Sequence, residues 1–142
     1  MNPLWKEELT VARRRLLAHR CTCMLCKNGI FIESFERGVA PLLQLLEEKR
    51  ELTGFFAADR VVGRGAAFCY ILMGVQAVWA GVISQSARSL LLQNNIPVLW
   101  DACVPAIRNR SGDGFCPIEQ ATLDVEDPQQ ALEVMQKLLH RS

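Results

Sequence analysis

Residues 77–100 decide the fold, and they read AVWAGVISQSARSLLLQNNIPVLW. Ala77 to Ile83 is an apolar run of strand length, Ser86 to Asn94 has the composition of a helix, and Pro97 to Trp100 is apolar again. A strand, a helix and a second strand within about 25 residues form a right-handed crossover. This segment therefore predicts two parallel strands in one sheet, joined by a helix.

The chain before this segment predicts a helix, a hairpin and a second helix. Leu4 to His19 has apolar residues at helical spacing. Arg20 to Cys26 and Ile30 to Phe35 alternate in polarity on either side of Asn28-Gly29, which is the strongest short signal for a hairpin turn. Val39 to Glu51 predicts another helix, with a proline near its first turn, where a missing amide is tolerated.

A long apolar stretch links the second helix to the crossover. We interpret Val61 to Met73 as a central helix, buried on nearly all sides, with Asp59 as its N-terminal cap. Ala66 to Ile83 approaches the ~20 residues of a membrane span. Gly74 lies at its middle, however, and divides it into a buried helix and a buried strand, so we expect no membrane segment.

The last third of the chain predicts an irregular region and one secure helix. Val104 to Asp124 is rich in glycine and charge. Asp127-Pro128 then opens a helix with apolar residues at positions 131, 134, 135, 138 and 139. The whole order predicts a single domain over residues 1–142 with an α/β, three-layer fold. Its mixed β-sheet is antiparallel at the first edge and parallel at the second, with helices on both faces.

Composition excludes several classes of protein. The chain has 142 residues, of which 50% are hydrophobic and 22% charged, so disorder is excluded. Its net charge of +1, without arginines interleaved with aromatic residues, gives no support to a nucleic-acid partner. The first twenty residues lack the unbroken apolar stretch of ~7–15 residues that a signal peptide needs. We therefore expect a cytoplasmic protein with reduced cysteines.

Three of the six cysteines form the pattern Cys21-x-Cys23-x-x-Cys26, which could hold a metal or exchange disulfides. On the predicted strand, Cys21 and Cys23 would share one face and Cys26 would point to the other. A redox pair gains reactivity at a helix N-terminus, and none is predicted here. We therefore expect these thiols to pack in the core, with no metal site and no cofactor.

Residues 59–65, which read DRVVGRG, are a candidate anion site. A helix N-terminus offers free amides and partial positive charge, to which Arg60 and Arg64 would add. Gly63 and Gly65 would allow a ligand or another backbone to approach closely. The alternative is a capped helix whose glycines serve tight packing, and the sequence does not separate the two.

Further candidate residues follow the crossover strands. Ser84 ends a buried strand, where ligands lie in sheets of this kind, although it also suits a helix cap. Asn109 and Arg110 flank a glycine-rich loop and are candidate polar contacts to a ligand. Cys116 with Glu119 would supply a nucleophile and a proton carrier. No histidine is near in sequence to activate the thiol, and packing of Cys116 against the sheet is the alternative.

Five short strings, taken in order, carry a family resemblance. They are RGVAPLL at 37–43, ADRVVG at 58–63, VIS at 82–84, NR at 109–110 and CPIE at 116–119. Together they resemble the domain-of-unknown-function family 1893, over roughly residues 18–139. That family is assigned a cytidine-deaminase-like fold without the deaminase zinc site, and the predicted order of elements resembles the same fold.

The resemblance implies a deaminase-like protein without zinc chemistry. A zinc deaminase needs His-x-Glu or Cys-x-Glu at a helix start and Pro-Cys-x-x-Cys after the next strand. We place these positions at Ala58-Asp59-Arg60 and at residues 84–88, and neither holds a zinc ligand. Asp59 and Arg60 would then fall where the fold keeps its catalytic groups. Because deaminase-fold proteins commonly oligomerise, the resemblance also implies a homo-oligomer.

Two functions remain open at this point. The first is a metal-free pocket for an anionic or nucleotide-like small molecule, with or without catalysis; the alternative is a non-catalytic regulatory or protein-binding module. In the first, the candidate catalytic residues are Asp59, Cys116 and Glu119, and the candidate ligand contacts are Arg60, Gly63, Ser84, Asn109 and Arg110. Convergence of these side chains in one pocket would favour the first, and dispersal over the surface would favour the second.

Overall fold

The computed structural model describes residues 4–108, 112, 114 and 116–140. The predicted ligand contacts Asn109 and Arg110 therefore lie outside the described residues. The helices are α1 (Trp5–His19), α2 (Ala40–Glu47), α3 (Arg64–Met73), α4 (Gln85–Gln93), α5 (Pro117–Ala121) and α6 (Pro128–Leu139). The strands are β1 (Cys23–Lys27), β2 (Ile30–Ser34), β3 (Phe56–Val62), β4 (Ala77–Ser84) and β5 (Val98–Val104).

The five strands form one mixed sheet in the order β2-β1-β3-β4-β5. β1 pairs antiparallel with both β2 and β3, whereas β3, β4 and β5 run parallel to one another. The crossover β4–α4–β5 is the one that residues 77–100 predict. The antiparallel first edge and the parallel second edge are confirmed as well.

The helices lie on both faces of the sheet, which gives the three predicted layers. α1 covers one face, where Leu9 and Leu16 are buried together with Ala58 and Trp79 of the strands. The other face carries α2, α3, α4 and α6, with the buried helix α3 at their centre. The α/β fold class is therefore confirmed.

Two turns of the chain depend on glycines with positive φ angles. Asn28 and Gly29 have φ angles of 50° and 80°, the left-handed pair that a two-residue hairpin turn requires. Gly74 ends α3 at φ 74°, so the apolar stretch from Ala66 to Ile83 is a helix followed by a strand, as predicted. No helix in the described part of the chain is both long enough and apolar enough to cross a membrane.

The prediction around Asp59 is wrong. Residues 56–62 form strand β3, with Asp59 at its middle, and the cap of α3 is Gly63. Residues 55–73 are mostly apolar, and a buried strand and a buried helix leave the same apolar signature in a sequence. The extended backbone at Gly63 (φ −100°, ψ −170°) divides the run into a strand and a helix.

The ends of α2 and β5 and the presence of one further helix also differ from the predictions. α2 ends at Glu47 rather than Glu51, because Lys49 takes a left-handed conformation (φ 55°) and terminates the helix. β5 continues to Val104, since it extends alongside β4 to the end of that strand. The region expected to be irregular contains the short helix α5.

The cysteines are all free thiols, and four of them are buried. Cys23 faces the core beneath α3, whereas Cys21 and Cys26 both face α1. The predicted pairing of Cys21 with Cys23 on one face is therefore wrong. Cys21 lies before β1, in the turn that ends α1, where its amide donates to the carbonyl oxygen of Leu16 at 3.0 Å. The alternation of a strand does not extend to it.

Candidate ligand-binding site

A cleft of about 730 Å³ opens at the carboxyl end of β3. In parallel sheets, ligands bind at this end of the strands, and the cleft volume is in the range of small-molecule sites. Its walls come from the start of α2, the start of α3 and the segment that leads into α5. Its lining includes the polar side chains of Thr22, Cys23, Glu36, Arg37, Asp59, Arg60, Arg108, Cys116 and Glu119.

Asp59 lies in the cleft wall and is 8% exposed. Its carboxylate oxygen Oδ2 accepts a hydrogen bond from the Tyr70 hydroxyl at 2.7 Å, and Oδ1 accepts one from the Val61 amide at 3.2 Å. No cationic side chain within the described ranges forms an ion pair with it. Burial raises the pKa of Asp59 from 3.8 to about 6, against the lowering effect of these hydrogen bonds.

Glu119 is the second buried carboxyl group of the cleft, at 7% exposure. Its oxygen Oε1 accepts the backbone amide of Arg64, the first residue of α3, at 2.7 Å. The Ser84 hydroxyl donates to the same oxygen at 3.4 Å. Burial raises the pKa of Glu119, and the amide and charge of Arg64 act in the opposite direction. Glu119 is thus an anchor that fixes α5 to the start of α3.

Arg64 is buried and does not line the cleft, contrary to the prediction that it adds positive charge there. Its Nε donates to the Thr122 carbonyl at 2.8 Å, and its two terminal nitrogens donate to the Ser86 hydroxyl and the Val125 carbonyl. A guanidinium has five donors in a rigid fork, so it can donate hydrogen bonds to several carbonyl groups at once. Arg64 therefore holds the segment after α5 against α3 and α4.

Gly63 and Gly65 serve close packing. A Cβ on Gly63 would lie 2.1 Å from Glu119 Oε1, and one on Gly65 would lie 2.4 Å from Ile118 Cγ2. Both glycines also touch the cleft. The open approach expected for a ligand is largely filled by α5 of the chain itself, so the packing alternative describes these two positions better.

Asp59 and Val62 both face α3, although strict alternation along β3 would place them on opposite faces of the sheet. Arg60 lies between them, where this alternation is interrupted. Gly81 of β4 lies close to the backbone at this point, and a Cβ on it would lie 2.7 Å from the Arg60 carbonyl oxygen. The Arg60 guanidinium Nε donates to the Cys21 carbonyl at 2.7 Å. This bond anchors one end of the guanidinium, and the residue is otherwise exposed along the cleft.

Two arginines that the sequence did not single out complete the rim. Arg37 precedes α2, and Arg108 follows β5; both line the cleft beside Arg60. Glu36 is the acidic member of the rim. Helix α2 has no acidic residue in its first turn and no side-chain cap. The partial positive charge of its N-terminus is therefore not neutralised by its own residues.

Ser84 and Cys116 have different relations to the cleft. Ser84 is fully buried and does not line it; its hydroxyl caps α4 by accepting the Ala87 amide at 3.1 Å and contacts Glu119 from behind. Cys116 lines the cleft and precedes α5, with its amide donating to the Ile107 carbonyl. The histidines His19 and His140 pair with Glu33 and Glu47, away from the cleft.

The placement of zinc-ligand positions at Ala58-Asp59-Arg60 is wrong, because these residues lie within β3 and not at a helix start. Residues 84–88 do begin α4, but none of them lines the cleft. The starts of α2 and α3 at the cleft, residues 38–41 and 63–65, contain neither histidine nor cysteine, and the start of α5 offers only Cys116. Among the residues that the structure describes, no three acidic, histidine or cysteine side chains are grouped to hold a metal ion.

The structure brings five of the eight candidate residues around one cleft, and these are Asp59, Arg60, Gly63, Cys116 and Glu119. Sequence reasoning missed Tyr70, Arg37 and Arg108. Tyr70 had a usable signal, since the chain has a single tyrosine and a buried hydroxyl requires a partner. The two arginines had none beyond their charge.

Comparison with known proteins gives the family. The model of the domain-of-unknown-function family DUF1893 matches residues 11–139. The crystal structure of a DUF1893 family protein (TM1506) from Thermotoga maritima is 25% identical, with a TM-score of 0.85 over 93% of this chain and 90% of that one. A dCMP deaminase from the cyanophage S-TIM5 is 13% identical, with a TM-score of 0.46 over 71% of this chain and all of that one. No curated protein matches the chain. With its family model covering nearly the whole sequence, the chain belongs to the family DUF1893.

Proposed function

We propose that the cleft binds an anionic, nucleotide-like small molecule without the help of a metal ion. The observation that carries the proposal is the pairing of a buried carboxyl group, Asp59, with a rim of three arginines around one cavity. Such a cavity suits a ligand that has an anionic group at one end and hydrogen-bond donors at the other.

The arginines of the rim are the groups that would bind the anionic part of the ligand. Arg37, Arg60 and Arg108 are close enough in space to line one cleft, although they are far apart in the sequence. A guanidinium can bind a phosphate or carboxylate through two parallel hydrogen bonds. The uncapped start of α2 lies at the same rim and adds the positive end of a helix dipole.

Asp59 is the group that would accept hydrogen bonds from the part of the ligand that carries the donors. A carboxyl group buried without a cationic partner costs stability, and such groups concentrate at functional sites. Its position in the middle of β3, between β1 and β4, holds it rigidly at the cleft. The cost is offset when a ligand brings its own N–H or O–H donors to the carboxylate.

If the bound molecule is transformed, Asp59 is the group to transfer a proton. A pKa of about 6 places it near the pH at which a general base is effective. Glu119 is less suited, because its Oε1 is committed to the Arg64 amide and the Ser84 hydroxyl. Cys116 lines the cleft as the candidate nucleophile, with no histidine of the described chain beside it.

The proposal is tested by calorimetry on chelator-treated protein with nucleoside monophosphates, ribose 5-phosphate and inorganic phosphate. Arg60→Ala should weaken binding of the phosphorylated compounds about tenfold or more, as loss of a hydrogen bond to a charged group does. The matched control is Arg14→Ala, an exposed arginine of α1 outside the cleft. Absence of binding to all of these compounds, or equal binding by both variants, would contradict the proposal.

The second candidate function is a protein-binding module, and the two terminal strands of the sheet favour it. β2 and β5 are the terminal strands of the sheet, and the exposed side chains Phe35 and Trp100 lie at these edges. Exposed edges can pair with another chain, including a second copy, which would make the homo-oligomer expected from the family resemblance. Light scattering on the purified protein measures its mass, and a monomer at micromolar concentration would exclude stable self-pairing.

A further inference from the structure

We infer that Asp59, positioned by Tyr70, selects ligands with two adjacent N–H donors, so that the cleft takes a phosphorylated molecule with a guanine-like edge in preference to a sugar phosphate. This inference rests on the proposed function and specifies the ligand of the same cleft.

The hydrogen-bond capacity of Asp59 is not filled by its partners within the protein. An ionised carboxylate offers about four acceptor positions, two on each oxygen. The Tyr70 hydroxyl donates to Oδ2 and the Val61 amide donates to Oδ1, and the backbone N–H of Arg60 also faces the carboxylate. These donors leave acceptor positions on the carboxylate for a ligand. A pair of oxygens with this spacing matches a pair of parallel N–H donors, as in a 2-amino-lactam or another amidine-like edge.

The side chains that face Asp59 in the described structure are not cations, so none of them pairs with its charge. Cys23 faces it from β1, Cys69 and Tyr70 face it from α3, and β4 contributes Ala80. Burial raises the pKa of Cys23 to about 12 and also raises the pKa values of Cys69 and Tyr70, so all three are neutral at pH 7. Asp59 is thus the one charged side chain of this buried group, and its free acceptor positions are left for a ligand.

The walls of the cleft suit a flat ring beside the carboxylate. Val39, Val61, Ile107 and Ile118 all line the cavity, and Val61 is half exposed although it belongs to the central strand β3. A planar base can pack against these branched side chains with its donor edge toward Asp59. Its phosphate would then extend to the arginine rim, so both halves of the proposed ligand are accommodated together.

Binding of three compounds to the full chain at pH 7.5 tests the inference. GMP has two adjacent N–H donors, IMP lacks the 2-amino donor, and ribose 5-phosphate lacks the base. We expect affinity to fall about tenfold from GMP to IMP and further to ribose 5-phosphate. Asp59→Asn should abolish the preference for GMP, whereas Arg14→Ala, at an exposed arginine outside the cleft, should keep it. Equal affinities in the wild type, or a preference that survives Asp59→Asn, would overturn it; failure of all three compounds to bind would overturn the proposed function itself.

Tyr70→Phe provides an independent test of the positioning role. Loss of its hydroxyl removes a hydrogen bond that favours the ionised carboxylate, so the preference for GMP should require a higher pH than in the wild type. The quantity to measure is the ratio of the GMP and ribose 5-phosphate affinities between pH 5 and 8.5, in which titration of the shared phosphate cancels. A ratio with unchanged pH dependence would mean that Tyr70 only fills space, and would overturn its assigned role.

Discussion

The two faces of the sheet bury different kinds of residue. Beneath α1 the buried side chains are apolar, as with Leu9, Leu16 and Trp79. The buried charged residues of the described chain, Asp59, Arg64 and Glu119, all belong to the α3 face, at the end where the cleft opens. Burial of charge is costly, and Arg64 and Glu119 offset that cost through hydrogen bonds within the protein. Asp59 has no cationic partner among the described residues, so its position is the one that indicates a function.

The largest expected effect is on the α3 face, from Arg64→Met. The substitution leaves the carbonyls of Thr122 and Val125 without their donor in a buried environment. We expect the free energy of unfolding to fall by about 4 kcal/mol. Urea denaturation measures the loss, and Arg14→Met on exposed α1 is the control, with a change of less than about 0.5 kcal/mol. A loss as small as that of the control would show that Arg64 does not hold the cleft wall.

The α1 face offers the matching test with Leu16→Ala. Leu16 is fully buried, so truncation should lower the free energy of unfolding by about 3 kcal/mol. Ligand affinity of the folded fraction should stay within about twofold of the wild type, because α1 contributes no residue to the described cleft. A large loss of affinity would mean that the two faces are coupled, and the contrast between them would be lost.

Asp59→Asn should stabilise the protein, and the effect should depend on pH. Because the pKa of Asp59 is raised from 3.8 to about 6, the folded state favours the protonated form. The stability associated with that proton is complete below pH 4 and is lost as the pH rises through 6. Relative to the wild type, the asparagine variant should therefore gain about 2–3 kcal/mol between pH 4 and pH 7.5. Thermal unfolding at both pH values measures the gain, and a difference independent of pH would contradict the burial of this charge.

The same contrast explains how much the sequence could predict. The α1 face was predictable, because Leu9, Leu16 and the hairpin at Asn28-Gly29 follow simple periodicity and turn rules. On the α3 face β3 was not recognised as a strand, since it passes directly into a buried helix at Gly63. Local propensity carries no information about such a junction when both elements are apolar.

The candidate site was predicted by residue type but not by role. Asp59 was expected as a helix cap and instead lies in a strand with Tyr70 as its partner. Arg64 was expected to face an anion and is instead buried against carbonyl groups. Both differences come from contacts between residues far apart in the sequence, such as Arg64 with Thr122, which no local pattern reports.

The smallest expected effect tests whether Gly63 exists to accommodate Glu119. Gly63→Ala places a Cβ 2.1 Å from Glu119 Oε1, so the carboxylate must move and its bond to the Arg64 amide is lost. We expect a cost of about 1–2 kcal/mol. In a Glu119→Ala background the carboxylate is absent, and the same substitution should cost much less, which a double-mutant cycle measures directly. Equal costs in both backgrounds would show that another contact, such as Ile107 Cγ1 at 3.3 Å from the added Cβ, and not the Glu119 anchor, excludes a side chain at position 63. A smaller cost in the Glu119→Ala background would show that the Glu119 carboxyl group serves to shape the cleft wall. Asp59 would then be the carboxyl group that is available to a ligand.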